Sequence, residues 1–449
     1  MSQLRRVLSP RDLIFIVVGT VIGSGIFLTP GAVVQSAGSG GVALIVWLVG
    51  GVLSLLGALT FAELGAAKPE SGGLYVYLRD AFGPLVAFLY GWTMFLVIGS
   101  GSLATLGAAF PRYVGIFVSL PPGAAQAVSV AMIALVTAVN IRGTRQSADT
   151  QGLATVIKVS VILLMAVVLI AVGSWGPKDL TAAQPWWPHS FSWSVVSGGL
   201  TAMIGVLWAY EGWQYVTFSA GEALDPQHTF ARGIILGTAS LIAIYELANI
   251  GYLRALGPAG VAMSNRVASE ATSLILGGWA GKLLAAIILI SIFSASNGLV
   301  LTLPRLFYAM ARDGLFFARL ATIHPRFGTP AAAIIGTTLW STVLVLSGTF
   351  EQLLTYVVFM SWLWFALAAL AIFAYRRRPQ LTPRPFSTPG YPMTPVVFIA
   401  AALMIVGNTI VAQPVQSLIG LGLALLGVPV YFFWRAREAP AGRMAGDLL

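Results

Sequence analysis

The chain has 449 residues, 57% of them hydrophobic and only 9% charged, an apolar content far above that of a water-soluble domain. Its formal charge of +10 comes from cations gathered in short stretches between apolar runs, without the basic arms and interleaved aromatics that a nucleic-acid partner would require. With no cysteine and three scattered histidines, a disulfide framework, a metal centre and a bound cofactor are not expected.

In chain order, Arg5, Arg6 and Arg11 lead straight into a segment long enough to span a bilayer. No small-residue cleavage pattern follows, so no removable signal peptide is expected. A requirement of ~20 apolar residues per span predicts an all-α polytopic membrane protein of about twelve transmembrane helices. They fall near 13–36, 42–65, 84–111, 123–141, 152–174, 194–220, 230–256, 280–311, 330–347, 352–375, 393–412 and 414–434. An even number puts both termini on one side. Assigning that side to the cytoplasm leaves only Arg112, Lys178, Arg254, Arg266 and Lys282 outside, as the excess of cations in inner loops demands. Arg142 and Arg145, then Arg305 to Arg326, then Arg376 to Arg384 fall in alternate, inner connections. The expected location is the plasma (inner) membrane, with a cytoplasmic tail over 1–12 and another over 435–449.

The first segment contains Gly19-Thr20-Val21-Ile22-Gly23-Ser24-Gly25-Ile26-Phe27. Three glycines weaken the helix at a depth where hydrocarbon tolerates unpaired backbone least. Either the helix breaks beside a protected cavity, where a half-helix N-terminus at Ser24 and Gly25 would favour a carboxylate, or the small residues let a neighbouring helix pack closely. After the second segment, Pro69 and Gly72-Gly73 force turns, and Tyr75 and Tyr77 suit an interface, so a short amphipathic stretch on the inner surface is expected, or else an ordinary loop. The connection at Ser174–Ser194 carries Trp175, Trp186, Trp187 and Trp193, which form an aromatic belt or, alternatively, a gate.

Lys158 lies about a turn and a half inside the fifth segment and either snorkels to the inner surface or turns inward. The sixth segment carries a second interruption, Gly205 to Gln214, with Glu211 beside Gly212 and between Trp208 and Trp213. An intramembrane glutamate costs ~2–3 kcal/mol unless it meets water or a partner, so Glu211 is expected to face the interior. Buried with no cation adjacent in sequence, it is expected to be neutral when ligand is bound. Glu246, in the seventh segment, is a second acid at depth, either paired structurally or titrating. Interruptions at corresponding places in two five-helix halves point to an inverted-repeat transporter. The halves would cover 13–174 and 194–375, with peripheral helices over 393–434.

Val18 to Phe27, the Ala62-Glu63-Leu64-Gly65 to Phe82-Gly83 loop, Ala209-Tyr210-Glu211-Gly212-Trp213, Asn297-Gly298 and Arg305 to Gly314 together resemble the amino acid, polyamine and organocation superfamily. Within it they look most like a bacterial relative of the L-type amino acid transporters. The resemblance runs from about residue 8 to 435 and implies the leucine-transporter fold, with segments 1–5 and 6–10 as inverted repeats. It also implies an amino acid between the broken first and sixth segments. The substrate carboxylate would lie on Ser24 and Gly25, and its ammonium on carbonyls of Val21, Trp208, Ala209 and Glu211. Trp208 would close over the substrate, or serve as a buried packing residue. Ser102 would line the side-chain pocket. Lys158 would take the place of a sodium ion, with Ser294, Ser296 and Asn297 either holding it or bonding between helices. The implied function is sodium-independent exchange of L-amino acids, and with Glu211 expected to be uncharged, neutral ones are expected.

The chain departs from that pattern at Glu211, where many relatives have glycine, serine or aspartate, and at Gln214, where they have asparagine. Without cysteine it cannot form the disulfide that ties animal L-type transporters to a glycoprotein subunit. A proton-coupled amino acid or polyamine symporter is the rival within the class, since Glu211 or Glu246 could titrate. An enzyme is disfavoured because no nucleophile–base grouping or HExxH occurs near the spans. A sensor is disfavoured because only a short tail follows the last segment.

Overall fold

The computed structural model describes residues 6–121, 123–174, 185–190, 192–378 and 385–435. Arg5, Trp175, Lys178, Arg384 and the tail beyond Arg435 lie outside the described residues. Among the described residues the chain is helical almost throughout, and the one β contact is a parallel bridge between Leu8 and Ala223. Among the described residues eleven helical runs are long and apolar enough to cross a membrane. The stretch predicted near 330–347 forms an apolar helix of 17 residues, shorter than those eleven, in the ninth place in chain order.

The first run is divided into α1 (Pro10–Val21), α2 (Gly25–Leu28) and α3 (Pro30–Ala37). Pro10 sits at the first turn of α1, and Ser9 and Asp12 cap it reciprocally, satisfying N–H groups that no preceding turn can meet. Then follow α4 (Gly40–Ala67), α5 (Leu74–Phe82) and α6 (Pro84–Thr93), which continues through a π-helical turn at Met94–Ile98 into α7 (Gly99–Val114). Next come α8 (Ala124–Ile141), α9 (Thr144–Val172) and α10 (Trp193–Tyr210), the last followed by a 3₁₀ stretch at Trp213–Glu222. The second half continues as α11 (Pro226–Met263), α12 (Val267–Leu276), α13 (Gly278–Thr302), α14 (Pro304–Arg312), α15 (Ala331–Ser347) and α16 (Phe350–Arg376). Finally, α17 (Met393–Ala412) and α18 (Pro414–Leu425) pack on a flank against α4, α16 and α6.

Three features differ from the sequence reading. Tyr75 and Tyr77 are fully buried, so α5 is not an amphipathic helix resting on the surface. The Tyr75 hydroxyl donates to Asp313, tying α5 to the end of α14. The seventh span runs beyond 256 to Met263 across a kink, where Gly257 adopts φ 69° and Pro258 lacks the N–H that would continue the helix. Beyond it, α12 is a helix that the apolar pattern did not isolate. Of the loop tryptophans, Trp193 is exposed, whereas the Trp186 carbonyl accepts the Gly41 N–H and so caps the start of α4.

Lipid-facing positions carry bare apolar side chains, such as Leu403 and Val411 on α17 and Leu418 on α18, while polar side chains turn inward. The centre of the bundle holds α1, against α9, α11 and α13. Everything needed for the site converges on the end of that helix.

Candidate functional site

After Val21 the helical path stops. Ile22 turns out of the helix at ψ 87°, the Gly23 N–H folds back onto the Val21 carbonyl at 2.8 Å, and the chain becomes helical again at Gly25. The sixth span stops in the same way. Glu211 is extended at ψ 133°, and Gly212 adopts φ 131°, a backbone conformation that side-chain-bearing residues rarely enter. The two breaks face each other. A Cβ on Gly25 would lie 2.5 Å from the Ala209 Cα, and one on Gly212 would lie 3.2 Å from the Thr20 carbonyl carbon.

Between the breaks lies a small cavity. Of the seven residues expected at the substrate site, Val21, Ser24, Gly25, Ser102, Trp208 and Glu211 line it. Ala209 does not; it packs behind, against Gly25. Three polar atoms of the lining, Thr20 Oγ1, Ser24 Oγ and Trp208 Nε1, are buried with no hydrogen-bond partner among the described residues. Buried polar groups are ordinarily paired, so three unpaired ones around one cavity mark a place built for a polar ligand. At the start of α2 the Phe27 and Leu28 N–H groups donate to the Ser24 carbonyl, and those of Gly25 and Ile26 have no acceptor among the described residues. They suit an anion.

The cationic end of a ligand meets a different situation from the one the resemblance implied. The Val21 carbonyl accepts the Gly23 N–H and, at 3.2 Å, the Tyr245 hydroxyl. The same hydroxyl lies 2.9 Å from the Ala209 carbonyl, so its single hydrogen serves one of these two carbonyls at a time, and the Trp208 carbonyl accepts the Glu211 N–H at 3.1 Å. Three of the four carbonyls assigned to the ammonium are therefore already engaged in this conformation. Tyr245, which bridges both breaks from α11, was overlooked beside the more conspicuous Glu246. Glu246 itself does not line the cavity; it is half-buried, and its Oε1 has no partner among the described residues.

Lys158 is fully buried, and its ammonium reaches the Gly19 and Ile22 carbonyls at 2.6 Å each and Ser294 Oγ at 3.1 Å. All three of its donors are thus spent on the unwound end of α1 and on α13, rather than at the inner surface. Asn297 does not touch the lysine. Its amide donates to the Ser147 carbonyl and to Gln151 Oε1, which also accepts from Ser294. Its carbonyl oxygen accepts from Asn140 and Ser147. Gln151 thus joins Asn297 to Lys158 through Ser294, a connection the sequence reading missed. Ser296 Oγ has no partner among the described residues.

Side-chain contacts gather on two sides of the cavity. Trp208 meets Phe350 edge-on at 6.3 Å between ring centres, and Arg112 lies 5.0 Å over the same Phe350 ring while bonding Glu351 at 2.8 Å. Toward the other membrane face, Arg305 and Glu222 form an ion pair at 2.6 Å, each only 1% exposed, with Thr144 bonded to both. The Val7 and Leu8 N–H groups add to this cluster by donating to the Glu222 carbonyl.

This geometry can be set beside known proteins. The family model described as amino acid permease matches residues 8–432. The chain belongs to that family. The serine/threonine exchanger SteT of Bacillus subtilis is 32% identical over 94% of this chain and 95% of its own length. The cystine/glutamate transporter of Homo sapiens is 32% identical over 96% of this chain and 86% of its own. The large neutral amino acids transporter small subunit 2 of Rattus norvegicus is 32% identical over 94% and 79%. These relatives have the same identity to this permease, yet their names give different substrates. Overall similarity therefore fixes amino acid transport and not the choice of side chain.

Proposed function

We propose that this permease exchanges neutral L-amino acids across the plasma (inner) membrane without sodium, by alternating access around the breaks between α1 and α2 and after α10. The observation that carries this reading is the Lys158 ammonium on the Gly19 and Ile22 carbonyls. A fixed cation there repels a second one, so a sodium ion gains nothing from the same carbonyls. Ser24 and the N–H groups at the start of α2 receive the substrate carboxylate. The ammonium competes with the Tyr245 hydroxyl for the carbonyls of the breaks. In this reading α1 to α9 and α10 to α16 are inverted repeats, both termini are cytoplasmic, Arg305–Glu222 closes the inner side and Trp208–Phe350 the outer. Asn297 supports Lys158 from behind.

Proton-coupled symport is the second reading, favoured by one observation: Glu211 is a carboxyl group in the cavity wall, at a moving break. Reconstitution with a panel of labelled amino acids, measured with and without an imposed pH gradient, separates the two. Exchange predicts uptake that depends on internal amino acid and is indifferent to the gradient. Accumulation into empty vesicles driven by the gradient, and lost in Glu211→Gln, establishes symport instead.

A further inference from the structure

Glu211 is held by one of its two oxygens. Gln214 Nε2 donates to Oε1 at 2.7 Å, Ser361 Oγ of α16 at 3.2 Å and the Tyr215 hydroxyl at 3.4 Å. Gln214 is itself oriented, because its Oε1 accepts the Gly212 N–H at 3.2 Å. The carboxyl plane is thereby fixed from three directions. Oε2 receives no donor among the described residues. Glu211 and Tyr215 both line the cavity, as does the unpartnered Trp208 Nε1, whereas Leu106 and Leu299 in the same lining offer no hydrogen bond.

We propose that Glu211 determines the specificity of this cavity, with Ser361 and Tyr215 as its positioning residues, and that it selects amino acids whose short side chain ends in a hydrogen-bond donor over their methyl isosteres. The proposal rests on the reading of the cavity as the amino acid site. A side-chain hydroxyl pairs with the free carboxyl oxygen, accepting its hydrogen when the carboxyl is protonated and donating when it is ionised, and it has lone pairs for the indole N–H. A methyl of the same size supplies neither and leaves both buried groups unpaired. Sites that hydrogen-bond a substrate hydroxyl reject the analogue lacking it far more strongly than apolar pockets reject one methylene. The cavity is small and must also hold the carboxylate and ammonium, which favours a short side chain.

Ser102 belongs to the same string. Its Oγ donates to the Ile98 carbonyl at 2.8 Å and lies 3.2 Å from the Tyr215 hydroxyl. Each hydroxyl has a single hydrogen, so Tyr215 bonds either Ser102 or Glu211 at a given moment. When Tyr215 turns to Ser102, Ser361 and Gln214 still hold the carboxyl in place. That division of labour makes Ser361 the more sensitive of the two positioning residues.

Threonine and valine have nearly the same shape and differ by a hydroxyl against a methyl, so their relative affinity reads the interaction directly. Competition binding by the full-length protein in detergent would compare threonine, valine and alanine in wild type, Glu211→Leu, Ser361→Ala and Tyr215→Phe. Wild type is expected to prefer threonine over valine by at least about tenfold, and Glu211→Leu to bring the ratio to within about twofold while still binding valine. Ser361→Ala is expected to lower the ratio and leave alanine affinity within about twofold, which a general loss of structure would not do. Equal wild-type affinity for threonine and valine overturns the proposal and leaves amino acid binding intact. A fall of all three ligands together in Ser361→Ala overturns the positioning role. Failure of folded wild type to bind any amino acid refutes the underlying site as well.

Discussion

Gly25 and Ser24 are neighbours in the chain with different tasks, and substitution separates them. Gly25 has no room for a methyl group, because the Ala209 backbone occupies that position. Gly25→Ala is expected to push α2 away from α10 and cost about 1–3 kcal/mol of stability, visible as a lower Tm. Ser24 Oγ has no partner to lose. Ser24→Ala is expected to leave the Tm nearly unchanged and to weaken amino acid binding by about tenfold or more, the value of one hydrogen bond to a carboxylate. Equal effects on Tm and binding in the two variants would argue against a carboxylate at Ser24. The glycine cluster of the first span was thus open to two readings, cavity or close packing, and at Gly25 the structure contains both. Lys158 is a comparable case: periodicity gives its depth but not its direction. Its partners Gly19, Ile22 and Ser294 come from parts of the chain more than a hundred residues away, so only the resemblance could indicate them.

At the scale of helices, the spans were readable because lipid demands long apolar runs, and the breaks were readable because glycine beside Glu211 or Ser24 is poor helix. The features that escaped were those decided by packing. The burial of α5 depends on Asp313, which is far away in sequence, and the engagement of the Val21 and Ala209 carbonyls depends on Tyr245 of α11. The Arg305–Glu222 pair joins α14 to the 3₁₀ stretch after α10 with both groups removed from solvent, so its energetics follow the logic of buried ion pairs. Arg305→Leu leaves a buried carboxylate unpaired and is expected to destabilise the protein by about 3–5 kcal/mol, while Arg305→Leu combined with Glu222→Leu recovers most of the loss. A double-mutant cycle in thermal unfolding measures this; additive losses would show that the pair carries no coupling. The absence of native cysteine makes the functional side equally accessible. A single cysteine placed at Thr20 is expected to react faster with a membrane-impermeant thiol reagent applied from the inner side when Glu222 is changed to Gln, because the inner closure is weakened.

For the whole molecule, two breaks meet around a small cavity, a buried lysine is tied to the unwound end of α1, and side-chain contacts gather on two sides of the cavity. On the proposed reading these are the parts of a carrier in which a fixed cation takes the place of an exchangeable one. Relatives of equal identity carry names with different amino acids, so identity alone does not give the substrate. The sodium claim is the most exposed part of this account. The direct test is counterflow in proteoliposomes, with labelled amino acid outside and unlabelled amino acid either inside or absent, in sodium chloride and in choline chloride. Internal amino acid is expected to raise uptake by about tenfold or more, equally in both salts, and Lys158→Met is expected to slow it. Uptake into empty vesicles that requires an inward sodium gradient, at a rate unaffected by internal amino acid, would contradict the account.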